Sequence, residues 1–400
     1  VFTAVFFSGV ILAVTVFADG YRNPPEGAAV LGTSGMRLSY GDDPSAVSHN
    51  PANLMDLKKP QVMPSVTFGY SVKELNAAGF SEESEDPWAV LPAFYGAWPD
   101  SRGRYVLGLG VNSPYGQSTE WDKDGMVGRI APYFSEISTI NVTPAIGARL
   151  GNNILIGAGI GVMYSELDFR QFFAGNKAGF DAEGYGVGGN AGITVKMPAR
   201  QRIAITYRSS VRVDYDGDFS MLPAASGDFD TEIDFPAELA LGYGVEATEK
   251  LRLEANVEWV EHSKNDEMVL DLGKNNAMLE AALGTRTIEQ DWEDTWTFGV
   301  GAKWSPTPAW SFRTGWTYLP TPVVEETFMP SWAEGDKHVI GTGLGFSGDA
   351  HSLDLAYAYN ICDDRDINNP AHPVTGQPYP FNGEYDFEAH LLSVSYIYRF

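Results

Sequence analysis

Leu251-Arg252-Leu253-Glu254-Ala255-Asn256-Val257-Glu258-Trp259 is the stretch whose reading decides the fold. In an extended chain Leu251, Leu253, Ala255, Val257 and Trp259 share one face, and Arg252, Glu254, Asn256 and Glu258 share the other. A helix would mix the two sets; a strand separates them cleanly. The polar face is too charged for a dry core, where unpaired ions are costly. It suits water, or a polar insert. The apolar face ends in tryptophan, as a strand does when it meets a membrane interface.

The same period of two recurs along the chain. Trp296, Phe298, Val300, Ala302 and Trp304 alternate with Thr295, Thr297, Gly299, Gly301 and Lys303. Trp310, Phe312, Thr314, Trp316 and Tyr318 alternate with Ser311, Arg313, Gly315 and Thr317. Such patterns predict strands near Val62–Leu75, Ala89–Trp98, Tyr105–Ser118, Glu136–Leu150 and Ile154–Phe169. They continue near Tyr185–Lys196, Ile203–Tyr215, Thr231–Val245, Leu251–His262 and Thr295–Lys303. Trp310–Leu319, His338–Phe346, Ser352–Ile361 and Glu388–Phe400 bring the set to about 14, an even number.

A soluble sandwich alternates too, but the connections argue for a barrel. Links after even strands are short turns such as Gly151-Asn-Asn153 and Ser305-Pro-Thr-Pro308. Links after odd strands are long and acidic, such as Ser263–Asp294 and Cys362–Phe387. Short turns on one side and long loops on the other are the habit of outer-membrane barrels. Closure also removes the exposed edges of so long a strand series. The expected fold is therefore all-β, a transmembrane antiparallel barrel spanning residues 61–400.

Composition agrees. The 400 residues include 43 glycines, 13% aromatics and a net charge of −25 from 52 acidic and 27 basic side chains. Such a surplus of acid excludes nucleic acid as a partner. The single cysteine, Cys362, forms no internal disulfide, and no metal-ligand spacing or cofactor motif is present. The six histidines are scattered and none stands in a nucleophile or metal motif, so an enzyme is not expected.

Two segments precede the strands. Residues 1–18 are apolar and end Val16-Phe17-Ala18, which reads as a secretory signal cut after Ala18; a retained membrane helix is the competing reading. Residues 19–60 contain Gly41-Asp-Asp-Pro-Ser-Ala-Val-Ser-His-Asn-Pro-Ala-Asn-Leu54. Its two prolines leave room for about one helical turn, with Asp43 as its N-cap, followed by a tight turn or brief helix at Asn50-Pro51-Ala52. This is either a connecting loop or a plug filling what the strands build.

With these residues in view the chain resembles the FadL-type family of outer-membrane transporters for long-chain fatty acids and other hydrophobic compounds. Asp42, Asp43 and Asn50-Pro51-Ala52 match the family's N-terminal hatch. Gly108-Leu-Gly-Val-Asn-Ser-Pro-Tyr-Gly116 is similar to its third strand, Tyr207–Asp218 to a mid-barrel motif and Phe312–Tyr318 to a later one. The resemblance implies a hatch inside the barrel, capture of ligand at outer loops, and sideways release where the third strand kinks. The kink falls on Asn112, Ser113, Pro114, Tyr115 and Gly116, and proline within a sheet belongs at an edge or bulge. Transport of this kind is partition, worth about 0.8 kcal/mol per buried CH₂.

A carboxylate head group would also want a cation. Arg208, Arg313 and Lys303 are candidates by strand parity, and Arg170 and Lys177 by proximity to an outer loop. For each, a salt bridge with a lumen carboxylate is the competing role. Uptake of aromatic hydrocarbons and a general diffusion porin are the alternative functions. The expected partners are a hydrophobic ligand, outer-membrane lipid with lipopolysaccharide, and the barrel-assembly machinery through Phe400, with the barrel itself a monomer.

Overall fold

The structure is a computed structural model describing residues 19–77, 79–173, 175–222, 225–272, 287–371 and 376–400. The expected signal, residues 1–18, lies outside the described residues. Fourteen antiparallel strands form the wall. They are β1 (Gln61–Ala77), β2 (Phe80–Glu85 and Trp88–Pro99), β3 (Tyr105–Asn112 and Gly116–Trp121), β4 (Phe134–Leu150) and β5 (Ile154–Phe173). Next come β6 (Asn176–Met197), β7 (Gln201–Arg208 and Val211–Leu222), β8 (Ala225–Phe235 and Glu238–Glu246) and β9 (Leu251–Val260). The series ends with β10 (Thr295–Trp304), β11 (Trp310–Leu319), β12 (Lys337–Ser347), β13 (His351–Cys362) and β14 (Gly383–Arg399). Each strand pairs with the next, and β14 returns to β1 from Gln61↔Arg399 to Asn76↔Glu384. The sheet is closed.

Most of the large apolar side chains that stay exposed lie on the outer face of the strands. Along β10, Trp296, Phe298, Val300 and Trp304 are exposed, while Thr295 and Thr297 on the opposite face are buried. β9 repeats this, with Leu253 out and Glu254 in. A soluble protein would hide such a belt; here lipid covers it. No helix among the described residues is long and apolar enough to cross a membrane.

Two expectations need correction. Several strands run beyond their predicted ends on the long-loop side: β6 starts at Asn176 rather than Tyr185, and β14 at Gly383 rather than Glu388. Above the membrane the outer face turns acidic, so the aromatic signal stops while the ladder continues. Asp168 of β5 faces Asp181 of β6, and Asp216 of β7 faces Asp230 of β8. The second correction concerns β7 and β8, each predicted as one unbroken strand. Ile205 and Tyr207 point to lipid, whereas Val213 and Tyr215 point inward. The change occurs at Ser209-Ser210, outside the ladder, where Ser209 Oγ and N bond the Gly189 backbone at 2.9 and 2.8 Å. β8 switches at Pro236-Ala237, from Ile233 and Phe235 inside to Leu239 and Leu241 outside.

The belt supports a quantitative expectation. Val300 sits midway between the two outward tryptophans of β10, so Val300→Arg should destabilise the barrel by about 2–4 kcal/mol, whereas a charge near the interface costs about 0–1. Reversible unfolding from lipid vesicles, with Trp304→Arg as the interfacial comparison, measures the difference.

Candidate functional site

Residues 19–60 lie inside the barrel and are almost entirely buried. The inward face of β9 shows how they are held. Arg252 Nη1 donates to Asp42 at 3.0 Å, Glu254 accepts from the Ser39 N–H at 3.2 Å, Asn256 reaches the Gly35 carbonyl at 3.5 Å and Glu258 accepts from Arg22. All four polar residues of the opening stretch therefore touch the insert. Its charged face was written for a polar filling, not for open water.

Asp42 is the centre of the lower contact. Besides Arg252 it takes Lys303 Nζ at 2.6 Å and lies 3.6 Å from Arg37. Burial alone would raise its carboxyl, but Arg252, Lys303 and Arg37 outweigh that and hold it well below its ordinary value. Asp43 takes Arg37 Nη1 at 2.9 Å and the Ser45 N–H at 3.0 Å. The short helix it precedes, Ala46–His49, has Ser45 rather than Asp43 at its N-cap, so Asp43 braces the turn from two positions further out. Asn50 does cap the next turn, Pro51–Asp56: its Oδ1 accepts from Ala52 N–H at 3.1 Å and its Nδ2 donates to the Leu38 carbonyl and Thr194 Oγ1.

The wall makes room for that turn with glycine. A Cβ at Gly157 of β5 would collide with the Pro51 carbonyl carbon and the Ala52 nitrogen, and one at Gly192 of β6 with the Asn50 side chain. Ala52 itself has no exposed surface. The insert is fitted to backbone, at a distance any larger residue would forbid.

At the predicted kink, Ser113, Pro114 and Tyr115 drop out of β3 between its two segments. Below the break Phe94–Pro99 of β2 pair with Val106–Val111, and above it only Ser84 and Glu85 pair with Trp121 and Glu120. Trp88–Ala93 consequently have a partner on β1 and none on β3. The wall has a gap in its ladder here. The inward backbone of the kink is satisfied by the N-terminal segment: Asn23 N–H donates to the Pro114 carbonyl at 3.0 Å, Asn23 Nδ2 to the Ser113 carbonyl at 3.0 Å, and Gly116 N–H to the Tyr21 carbonyl at 2.8 Å. Asn112 Nδ2 donates to Glu26 at 2.7 Å, and Tyr115 stacks on Phe235 at 4.6 Å.

A cavity of about 170 Å³ lies between this segment and the wall. Pro114 lines it, together with Leu38, Leu319, Val339 and Leu391, so it adjoins the gap. Its charged lining comprises Arg22 and Arg208 against Asp19, Glu26, Glu238 and Glu258. Arg22 bonds Asp19 at 3.0 Å, Glu238 at 3.2 Å and Glu258; Arg208 lies 3.6 Å from Glu238 and donates to the Ser48 carbonyl at 3.0 Å. Burial works to raise Asp19, but His262, 3.6 Å away, and the Arg22 and Lys337 charges pull it down to about 2. Burial pushes His49, bonded to the Glu26 carbonyl at 3.1 Å, below its ordinary value and so keeps it neutral. Acid exceeds base in this cavity.

Of the candidate head-group cations only Arg208 reaches the cavity. Arg313 is buried against Asp354 at 2.6 Å, and Lys303 belongs to Asp42. Arg170 and Lys177 are exposed on the outer extensions of β5 and β6, Arg170 against Asp168 and over the Phe134 ring at 4.7 Å. Parity alone missed the roles of Arg22, Glu258 and Glu238, although Glu258 stands on the inner face of the opening stretch.

A closed, lipid-belted barrel with a polar insert, an internal cavity and an interrupted ladder defines an outer-membrane transport protein. The family model described as "Outer membrane protein transport protein (OMPP1/FadL/TodX)" matches residues 11–400, and the chain belongs to that family. It is a bacterial outer-membrane transporter of hydrophobic compounds and not an enzyme. A long-chain fatty acid transport protein of Salmonella typhi is 23% identical, covering 92% of each chain. Among solved structures, a Pseudomonas aeruginosa FadL homologue superposes with a TM-score of 0.84 at 20% identity over 95% of this chain and 100% of that one. The Ralstonia pickettii toluene transporter TbuX gives 0.73 at 15% over 94% and 99%.

The Asp42 cluster yields a prediction. A carboxyl held below its ordinary value of 3.8 stabilises the folded state above that pH and loses its effect only as pH falls through the lower, folded value. The conductance of single barrels in planar bilayers should therefore stay low and constant from neutral pH down to about pH 4. Asp42→Asn, which strands Arg252 and Lys303, should raise it across that whole range. An unchanged conductance would show that this cluster does not seat the insert.

Proposed function

We propose that this protein takes up long-chain fatty acids passively and releases them sideways into the outer membrane at the gap beside Pro114. In this reading residues 19–60 are a hatch that blocks the straight route through the barrel, and residues 61–400 are the channel wall. The observation that carries it is the missing ladder between Trp88–Ala93 and β3, directly beside the internal cavity. A route that opens into lipid suits a ligand that prefers lipid; a hydrophilic solute gains nothing there. The name of the Salmonella relative points the same way.

The charges make chemical sense on this route. A fatty acid entering hydrocarbon must do so as the neutral acid, because an ion there is costly. Carboxylates exceeding guanidiniums around the cavity, together with loss of water, raise a ligand carboxyl toward its protonated form. Asp42, Asp43, Asn50, Pro51 and Ala52 hold the hatch; Asn112 through Gly116 form the exit. A second reading, uptake of uncharged aromatic hydrocarbons, is favoured by one observation: both cavity guanidiniums are already matched by carboxylates.

Uptake by cells producing the protein separates these. Labelled oleate should enter well above the vector control, with toluene and arabinose at control level. Toluene entry without oleate would replace the proposal by the aromatic reading, and free arabinose entry would mean an unsealed porin. Asn23→Ala should change oleate uptake while leaving barrel assembly intact, because it withdraws the side-chain bond that holds the kink at Ser113.

A further inference from the structure

We infer that the wall has a second lateral passage for the hydrophobic ligand, between β6 and β7, closed in this structure by Val211. This rests on the reading of sideways release and adds a second route from the same interior. The β6–β7 ladder has a lower block, Asn190↔Arg208 to Met197↔Gln201, and an upper block, Gly179↔Ser220 to Tyr185↔Asp214. Between the blocks no ladder pair joins Gly186–Gly189 to Ser209–Val213. Only Ser209 bridges the break, through its two bonds to the Gly189 backbone. β7 carries one residue more than β6 across it, and an odd extra residue turns every later side chain to the other face. The inversion that brings Val213 and Tyr215 inside therefore leaves a seam without a ladder, which a wall facing lipid normally avoids.

The outer surface shows the same notch. Tyr185 and Val187, and Ile160 beside them on β5, are each 65% exposed, and Trp88 at the first gap is 61% exposed. No other large apolar side chain on the described strands exceeds 54%. Tyr185 is the last outward aromatic of β6 before the exposed carboxylates Glu183 and Asp181, as Trp88 is on β2 before Asp86 and Glu85. Both breaks thus open at the upper edge of the lipid belt.

Inside, a cavity of about 30 Å³ touches both breaks, with Pro114 and Tyr115 on one side and Gly188, Gly189 and Val211 on the other. That is room for a water molecule and not for a ligand, so passage requires Val211 to move. The stopper sits on bare backbone: a Cβ at Gly186 or Gly188 would lie 2.6 or 2.5 Å from its methyl carbons. Asn190 and Arg208, the pair below the break, line this cavity and the larger one alike. The insert grips both, since Asn190 Nδ2 donates to the Val47 carbonyl at 2.7 Å and Arg208 Nη2 to the Ser48 carbonyl at 3.0 Å. The N-terminal segment that satisfies the kink at Pro114 is thus continuous with the piece that pins the second seam. Thr143, Gly161, Met163 and Val211 leave the lining beside the stopper uncharged, which suits an alkyl chain or a neutral head group.

The test uses the full-length protein in phosphatidylcholine vesicles, irradiated with a diazirine-bearing analogue of oleate, with adducts mapped by mass spectrometry. A diazirine phospholipid, too large for the lumen, marks what lipid alone reaches. The fatty-acid probe should label Ser210 and Val211 as well as Ser113 and Pro114, with displacement by excess oleate, and the phospholipid should label neither seam's interior. Ser209→Ala, which withdraws the hydroxyl from the Gly189 N–H, should raise labelling at Val211 about fivefold, the scale of one neutral hydrogen bond, and leave Pro114 unchanged. Labelling at Pro114 with none at Ser210 or Val211 overturns the second passage and leaves the first standing. Labelling at neither break, with the outer belt marked, refutes sideways release itself. Equal labelling of Ser210 and Val211 by both probes means the seam is merely lipid-exposed, which also overturns the passage. Should Ser209→Ala fail to assemble, the comparison of the two probes on the wild type decides alone.

Discussion

A backbone amide facing lipid has no water to turn to, and every other feature of this molecule is subordinate to that constraint. Closing β14 on β1 meets it around the ring, while the seam of β2 against β3 is left partly open along Trp88–Ala93. The structure does not leave the kink there bare on the inside. Tyr21 and Asn23 supply the hydrogen bonds that a neighbouring strand would have supplied to Ser113, Pro114 and Gly116. The insert is thus part of the wall's hydrogen-bond accounting, and the opening and the N-terminal segment are one device.

The insert in turn dictates what the inner face contains. It is seated by opposite charges at its lower end, through Asp42 on Arg252 and Lys303, and at its upper end by Arg22 on Glu238 and Glu258, while Arg37–Asp43 and Arg22–Asp19 pair within it. Between them the Asn50-Pro51-Ala52 turn lies so close to the backbone of β5 and β6 that glycine is required at Gly157 and Gly192. Ion pairs of this kind are only worth forming because the groups are withdrawn from water together and leave one another no better partner. That is why the cations named from strand parity as ligand contacts are largely engaged elsewhere: Lys303 and Arg313 serve anchoring and wall pairs.

Much of this was legible in the order of residues. Alternation found all fourteen strands, since a period of two survives wherever one face meets lipid and the other a polar filling. The break at Pro114 was legible because proline cannot complete a ladder. What stayed hidden has specific causes. In β7 the odd positions are apolar on both sides of Ser209-Ser210, at Ile203, Ile205 and Tyr207 and again at Val211, Val213 and Tyr215, so the phase is the same before and after while the chain turns its apolar face from lipid to lumen. Nothing in the phase records the turn; only the acidic partners Asp214 and Asp216, suited to an outer face in water, hint at it. The strand extensions of β6 and β14 were missed for the same reason, because above the bilayer an outward carboxylate replaces an outward aromatic. Which inner cation meets a carboxylate from the insert is a three-dimensional fact that no spacing encodes.

The division of labour within a strand follows from these points. On β9 the outer aliphatic residues face lipid, and all four inner polar residues bond to residues 22–42 of the insert. Exchanging one lipid-facing aliphatic for another leaves the seat of the insert untouched, whereas changing Glu258 alters both the Arg22 anchor and the charge of the cavity beside the gap. The alternation that builds the barrel therefore also separates membrane compatibility from ligand handling, residue by residue. A wall made this way tolerates drift on its outside while its cavity is set by a short N-terminal segment and the few inner side chains that grip it.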